Sequence, residues 1–129
     1  METSAATSLF DSDEFAVRAS RRRFEDTIFA RAEELLGATI ENPGDIELRS
    51  EVTIELEEPD PDLLLRAFAS EFLFLRDAYG WLLRPVAVEV ESCAEGLRLR
   101  ARLEGECFDP ERHHRVVERR PQLVARRDR

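Results

Sequence analysis

The sequence predicts an α+β protein of two layers, in which two helices pack on one face of a mixed, mainly antiparallel β-sheet in the order β-α-β-α-β-β. Three observations favour this class. Apolar residues recur at helical spacing after residue 60, between residues that typically begin and end a helix. Apolar and polar residues alternate from Glu47 to Glu57, as in a strand. Two further alternating segments after residue 84 lie close enough in sequence to form a hairpin. Because the strands have one polar face, we expect both helices on the opposite face.

The helix after Asp60 is the best-defined element. Asp60 suits the N-cap, Pro61 suits the first helical position, and Gly80 suits a left-handed C-terminus. Between these ends, apolar residues recur at spacings of 3 and 4 and therefore share one face. The predicted stripe consists of Leu65, Phe68, Phe72, Leu75 and Tyr79, widened by Leu73 and Phe74. We expect this helix to be the main one packed on the sheet.

The other elements follow from the same periodicities. Glu14 to Ser20 alternate, which predicts a short first strand, and Arg22 to Leu36 show helical spacing closed by Gly37. The alternation from Glu47 to Glu57 predicts the next strand. The last two strands are expected to begin near residues 85 and 97 and to form an antiparallel hairpin.

Opposite charges are expected to meet on the outer face of that hairpin. Glu89 and Glu91 lie on one strand, and Arg98, Arg100 and Arg102 lie on the other. Cross-strand pairs of opposite charge contribute roughly 0.2–1 kcal/mol each. A solvated sheet face is therefore the favoured interpretation of the arginine triplet, and an RNA-binding stripe is the alternative.

Composition limits the classes of function. A chain of 129 residues with 43% apolar residues fits one domain with one core. All 19 basic residues are Arg, and the net charge of −9 opposes non-specific binding to phosphate backbones. Direct RNA binding is therefore not expected. With neither a secretory signal pattern nor an apolar run of membrane-spanning length, the sequence predicts a cytoplasmic protein without membrane contact.

Charge is uneven along the chain. Residues 1–111 hold 26 acids and 12 Arg, whereas residues 112–129 hold 7 Arg and 2 acids. We therefore expect a flexible N-terminus over residues 1–10, a single domain over residues 11–115 and a basic tail over residues 116–129.

Signatures of catalysis are absent from the sequence. The five glycines are scattered, no CxxC, HExxH or GxSxG motif occurs, and the two histidines are adjacent at positions 113 and 114. We therefore expect a protein that is not an enzyme.

Two acidic clusters remain. The first, Asp11, Asp13 and Glu14, offers the carboxylate oxygens that a hard cation prefers, although a solvated acidic N-terminus is the favoured alternative on the residues alone. The second surrounds Pro110 and consists of Glu106, Asp109, Glu111, His113 and His114. A capped turn after the hairpin and a ligand or partner site explain this second cluster equally well.

Two segments in this order resemble the archease family. The first is EFLFLRDAYGWLLRPVAVEVE, and the second is LRLRARLEGECFDPERHH. The second segment matches a box of the form G-E-x-[FY]-D-P-E-[KR]-H from Gly105 to His113. Upstream, DSDEFAVRAS is similar to the family segment H-T-A-D-x-G-[IV]-R-A. There, Asp11 stands in place of the family's His, Glu14 in place of Asp, and Ala16 in place of Gly.

The resemblance implies a small, non-catalytic cytosolic protein that activates a tRNA-splicing RNA ligase by promoting its guanylylation and turnover. It also implies a site for a divalent cation such as Ca²⁺. The ligands would be Glu14 and Asp128, with Asp11 and Asp13 assisting.

Within the box, Asp109, Glu111 and His113 are predicted to contact the partner. The family's later E-V-K-A-x-T-Y-H segment has no match here. An interaction protein that keeps the archease scaffold but has lost the metal site and ligase activation is therefore the alternative.

Overall fold

The computed structural model describes the backbone of residues 2–116 and the side chains of residues 16–116. Within this part of the chain, a short 3-10 turn (Pro43–Asp45) joins the first helix to the first strand. The helices and strands are α1 (Glu2–Gly37), β1 (Ser50–Glu58), α2 (Pro61–Tyr79), β2 (Trp81–Cys93) and β3 (Gly96–Cys107). The predicted α+β class with two helices is confirmed.

The three strands form one sheet in the order β1-β3-β2, with both neighbours antiparallel. Ala101 on the central strand lies opposite Ile54 on one side and opposite Val88 on the other. The register of β2 shifts between Pro85 and Ala87. Pro85 has no N–H to donate to the ladder, so a bulge at this point of an edge strand is expected. The predicted hairpin is confirmed.

The predicted first strand is wrong, because Glu14 to Ser20 belong to α1. The order of the described elements is therefore α-β-α-β-β, and their sheet is antiparallel rather than mixed. The alternation in this segment covers only Phe15, Val17 and Ala19. It directly precedes a longer helical pattern, and helix formation propagates cooperatively through Ala, Arg and Glu once a turn exists.

Helix α1 continues through the predicted boundary between residues 10 and 11. Both domain boundaries stay predictions, since residues 117–129 lie outside the described part. None of the helices in that part is long and apolar enough to cross a membrane.

The ends of α2 are those the sequence predicts. The Asp60 carboxylate accepts a hydrogen bond of 2.9 Å from the backbone N–H of Leu63, and Pro61 is the first helical residue. Gly80 is left-handed at φ 75°, and its N–H donates to the carbonyl of Arg76. Each end therefore satisfies backbone groups that a helix terminus leaves unpaired.

The buried stripe of α2 differs from the predicted one near the C-terminus. Phe68 and Phe72 are buried as expected, together with Leu64, whereas Tyr79 is 60% and Phe74 is 52% exposed. These two rings contact each other edge to face, with centroids 5.8 Å apart. Residues spaced alternately by 3 and 4 repeat about every 3.5 residues, whereas an α-helix has about 3.6 residues per turn. The apolar stripe therefore shifts gradually around the helix, and its last residues no longer face the sheet.

The core lies between the helices and one face of the sheet. Ile28 and Ala32 of α1 and the buried residues of α2 contact the inward residues of all three strands. These inward residues are Ile54, Leu83, Val88, Val90, Leu99, Ala101 and Leu103. Full burial of a side chain such as Phe68 stabilises the fold by about 1.5–3 kcal/mol.

The opposite face of the sheet carries charge pairs, and Arg98 with Glu91, 3.2 Å apart, is a pair within the predicted hairpin. The other pairs join β3 to β1, since Arg98 lies 2.9 Å from Glu57 and Arg100 lies 3.5 Å from Glu55. Because the pairs are exposed, each contributes about 0–1 kcal/mol. The arginines of β3 are thus neutralised by neighbouring strands, as a solvated sheet face requires.

Gly105 of β3 lies close against the backbone of β2. A Cβ at this position would overlap the carbonyl oxygen of Leu82, which is backbone and cannot rotate away. We predict that Gly105→Ala lowers the free energy of unfolding by about 3 kcal/mol, since the two strands must separate. Gly44→Ala is the control, because a Cβ at position 44 meets nothing within 4 Å. Urea denaturation measures the free energy of unfolding of both variants. Equal midpoints for the two variants would contradict the close approach of Gly105 to the backbone of Leu82.

Candidate functional site

The box from Gly105 to His113 begins on the last residues of β3 and leaves the sheet as a tight turn. The Asp109 carboxylate accepts a hydrogen bond of 3.0 Å from the N–H of Glu111. The Asp109 carbonyl accepts from the N–H groups of Arg112 and His113 at 2.9 and 2.7 Å. Asp109 therefore organises one helical turn, which directs Arg112 and His113 back towards β3.

Glu106 is the acceptor at the centre of the box. Its side chain is 7% exposed. Oε1 accepts from Nη1 of Arg112 at 2.9 Å, and Oε2 accepts from Nη2 of Arg112 at 2.7 Å, which is the two-pronged geometry that a guanidinium favours. Oε2 also accepts from the backbone N–H of Glu47 at 2.9 Å. Protein donors have therefore replaced water around this carboxylate.

His113 donates the fourth hydrogen bond to that carboxylate. The ring is 1% exposed, and its Nδ1 accepts from the backbone N–H of Asp109 at 2.8 Å. Nδ1 therefore carries no proton, so Nε2 carries it and donates to Oε2 of Glu106 at 2.9 Å. In this arrangement the ring is neutral, and its contact with Glu106 is a hydrogen bond rather than an ion pair.

The pKa of Glu106 is lowered to about 2. The hydrogen bonds from Arg112 are the largest cause, and the Glu47 N–H and His113 act in the same direction, while burial opposes them. Glu106 is therefore ionised throughout the neutral range.

The box is also joined to the loop between α1 and β1. Asn42 donates to the carbonyl of Arg112 at 2.9 Å and accepts from the N–H of His114 at 2.9 Å. Arg112 donates to the carbonyl of Asp45 at 3.1 Å, and the N–H of Glu41 donates to the carbonyl of His114 at 2.6 Å. The turn after β3 and the loop before β1 thus form one hydrogen-bonded unit.

The three residues predicted to contact a partner occupy different environments. Glu111 is exposed, Asp109 is half-buried in the turn that it organises, and His113 is buried. Their role in partner binding stays a prediction. Of the three, only Glu111 is exposed, so Asp109 and His113 would act mainly by holding the shape of the turn.

The four predicted metal ligands lie where side chains are not described. Glu14, Asp11 and Asp13 have their backbone in α1, and Asp128 lies beyond residue 116. Among the described side chains, no group of three or more His, Cys, Asp or Glu residues is placed to hold a cation. The most concentrated set, around Glu106, is already bound by Arg112. The described residues therefore do not fit a divalent cation, and the metal site stays a prediction.

The residues that the loop contributes to this unit were not predicted from the sequence. Glu47 was predicted only as the first residue of a strand, and no functional role was predicted for Asn42. The separations are 72 residues between Asn42 and His114, and 59 residues between Glu47 and Glu106. Asn before Pro-Gly is itself a turn signal, so the single chain offers no sign of these distant partners.

The fold and the box together define a class of protein: a two-layer α+β domain whose last hairpin ends in a closed acidic turn. The model of the Archease protein family (MTH1598/TM1083) matches residues 14–118. The chain therefore belongs to the archease family, as the resemblance of the two segments indicated.

Curated relatives support this assignment. The chain is similar to "Protein archease" of Pyrococcus furiosus, with 38% identity over 74 residues, which is 57% of this chain and 52% of that protein. It is 40% identical to "Protein archease" of Thermococcus gammatolerans over 60 residues, which is 46% of this chain and 42% of that protein. The chain spans about half the length of the curated relatives that it matches.

A solved structure supports the fold. The chain is similar to the solution structure of Methanobacterium thermoautotrophicum protein 1598, with a TM-score of 0.64 and 21% identity. The match covers 74% of this chain and 68% of that chain.

The depressed pKa of Glu106 predicts an acid-sensitive fold. The ordinary value is 4.5 and the folded value is about 2, so the carboxylate stabilises the fold fully above pH 4.5 and loses this effect as the pH falls towards 2. We predict that Glu106→Gln costs about 1.5–3 kcal/mol at pH 7 and that the difference from wild type shrinks across that pH window.

Glu111→Gln is the matched control, since this exposed residue lies in the same box. Denaturation curves between pH 2 and pH 7 measure the effect. If the difference in unfolding free energy between wild type and Glu106→Gln stays constant over this window, the lowered pKa of Glu106 is contradicted.

Proposed function

We propose that this chain is an accessory protein of a tRNA-splicing RNA ligase, which it activates by promoting guanylylation and turnover. The observation that carries the proposal is the match of residues 14–118 to the archease family, together with the box from Gly105 to His113. Its relatives of known name are archeases. A cytoplasmic location follows from this function.

The chemistry of the box favours an accessory role over a catalytic one. Glu106 and His113 are the groups of the box that an enzyme would use for acid–base work, and both are committed to hydrogen bonds inside the protein. A buried, fully bonded carboxylate fixes a shape and supplies no reactive atom. The nucleotide chemistry therefore belongs to the ligase, and this chain contributes a rigid contact surface.

The turn of the box is the part of this surface that we assign to the partner. Glu111 is exposed at its tip, beside the half-buried Arg112. The turn is held from inside by Glu106 and from the side by Asn42, so it needs little ordering on binding. Preorganisation of this kind lowers the entropic cost of association.

A ligase assay tests the proposal. The full chain is expected to bind the cognate tRNA-splicing RNA ligase in a pull-down and to raise its number of turnovers. Glu111→Arg reverses a charge at the tip of the turn and is expected to weaken binding about tenfold. Glu95→Arg makes the same change in the exposed loop between β2 and β3 and is expected to bind like wild type.

A folded wild-type chain that neither binds the ligase nor changes its turnover would refute ligase activation. That result would favour the alternative, an interaction protein that keeps the archease scaffold. Activation by wild type with equal loss in both variants would refute only the role of Glu111.

The metal is a separate proposal, because the described side chains do not form its site. We infer that a divalent cation such as Ca²⁺ binds the carboxylates of Glu14 and Asp128, with Asp11 and Asp13 assisting. Few charged ligands give a weak calcium site, with a dissociation constant of roughly 10⁻⁴–10⁻³ M. Calorimetric titration should show the heat of binding in wild type and its loss in both Glu14→Gln and Asp128→Asn. Equal heats in wild type and both variants would exclude these ligands.

A further inference from the structure

A small polar cavity lies at the C-terminal end of α2, between this helix end and the segments that flank β3 and α1. Its volume is about 200 Å³. It is lined by Thr39, Arg76, Asp77, Gly80, Phe108 and Arg115. We call it the α2-end cavity. The proposed function uses the turn of the box and none of these side chains.

The first arginine of the cavity is fixed before any ligand arrives. Nη1 of Arg76 donates to the hydroxyl oxygen of Thr39 at 3.0 Å, and Nε donates to the Asp77 carboxylate at 2.7 Å. Thr39 is buried and donates in turn to the carbonyl of Leu35 at 2.9 Å. A guanidinium has five N–H groups, so Arg76 retains three that have no partner among the described residues.

The second arginine is oriented by an aromatic ring. The guanidinium carbon of Arg115 lies 4.2 Å from the centroid of the Phe108 ring. Phe108 is itself held by a hydrogen bond of 2.7 Å from its N–H to the carbonyl of Gly80. A cation–π contact positions a guanidinium without using its N–H groups. No described residue accepts a hydrogen bond from the side chain of Arg115, so these groups can reach an anion.

The charge of the cavity favours one negative charge. Arg76 and Arg115 contribute two positive charges and Asp77 one negative charge, so the cavity is positive in a protein whose net charge is −9. Asp77 and the negative end of the α2 dipole oppose a doubly charged group. A water molecule takes up about 30 Å³ of liquid, so the cavity has room for a carboxylate with its methylene groups.

We infer that the α2-end cavity binds one acidic side chain of a partner peptide, with its carboxylate clamped between Arg76 and Arg115. An RNA strand carries a charge at every nucleotide, and its other phosphates would be repelled by a protein whose net charge is −9. An isolated side-chain carboxylate avoids that repulsion, and a guanidinium binds it through two parallel hydrogen bonds.

Arginine-detected NMR titration of the full chain tests this inference. N-acetyl-glutamate amide is the probe, and its neutral analogue N-acetyl-glutamine amide is the ligand control. The Nε–H signals of Arg76 and Arg115 are expected to shift with the charged probe alone, with a dissociation constant on the order of 1 mM. Dimethyl phosphate, which carries the charge of an RNA linkage, is a weaker base and hence a weaker hydrogen-bond acceptor than a carboxylate, so it is expected to bind more weakly.

Three variants locate the site. Arg115→Gln changes an exposed residue and is expected to weaken binding at least about tenfold, as is Arg76→Gln. Arg66→Gln removes the same charge from an exposed position of α2 outside the cavity and is expected to bind like wild type. Asp77→Asn removes the repelling charge and is expected to bind the probe more tightly.

Equal shifts with the glutamine analogue, or equal loss in Arg66→Gln and Arg115→Gln, would overturn the inference. Tighter binding of dimethyl phosphate than of the glutamate probe would also overturn it, in favour of a phosphodiester ligand.

Discussion

The carboxylate of Glu106 is almost entirely removed from water, and four hydrogen bonds hold it there. An ionised carboxylate that is buried without partners costs several kcal/mol, so its donors must be in place when the protein folds. Arg112 and His113 come from the turn after β3, and the N–H of Glu47 comes from the loop before β1. The turn after β3 and the loop before β1 must therefore both be in place to satisfy Glu106. Their shared hydrogen bonds to this carboxylate hold the box in its position on the sheet.

This constraint explains why the two ionisable residues that are buried among the described side chains, Glu106 and His113, are held in fixed hydrogen bonds. Glu106 and His113 are satisfied inside the protein, and Asp109 holds the turn together. What reaches solvent is the tip of the turn at Glu111 and, on the other side of Phe108, the α2-end cavity with Arg115. An accessory protein acts through such preorganised surfaces, since its partner supplies the chemistry.

Features set by neighbouring residues could be predicted from the sequence. The caps of α2 and the hairpin of β2 and β3 depend on side chains a few positions apart, and both are confirmed. The strand predicted for Glu14 to Ser20 is wrong, because three alternating residues are weaker evidence than the helical pattern that follows them. Helix α1 continues through this segment. The contact of Glu47 with Glu106 depends on where distant elements pack, and no local pattern in the sequence indicates it.

A double-mutant cycle on Glu106 and Arg112 tests the central claim, that this buried acceptor fastens the box to the fold. Glu106→Gln, Arg112→Gln and the double variant are compared with wild type by urea denaturation at pH 7. A hydrogen-bonded charge pair of this kind predicts a coupling free energy of about 1.5–3 kcal/mol. The exposed pair of Arg98 and Glu57 serves as the reference, with an expected coupling of about 0.2–1 kcal/mol. Coupling at Glu106 no larger than in this reference pair would contradict the account.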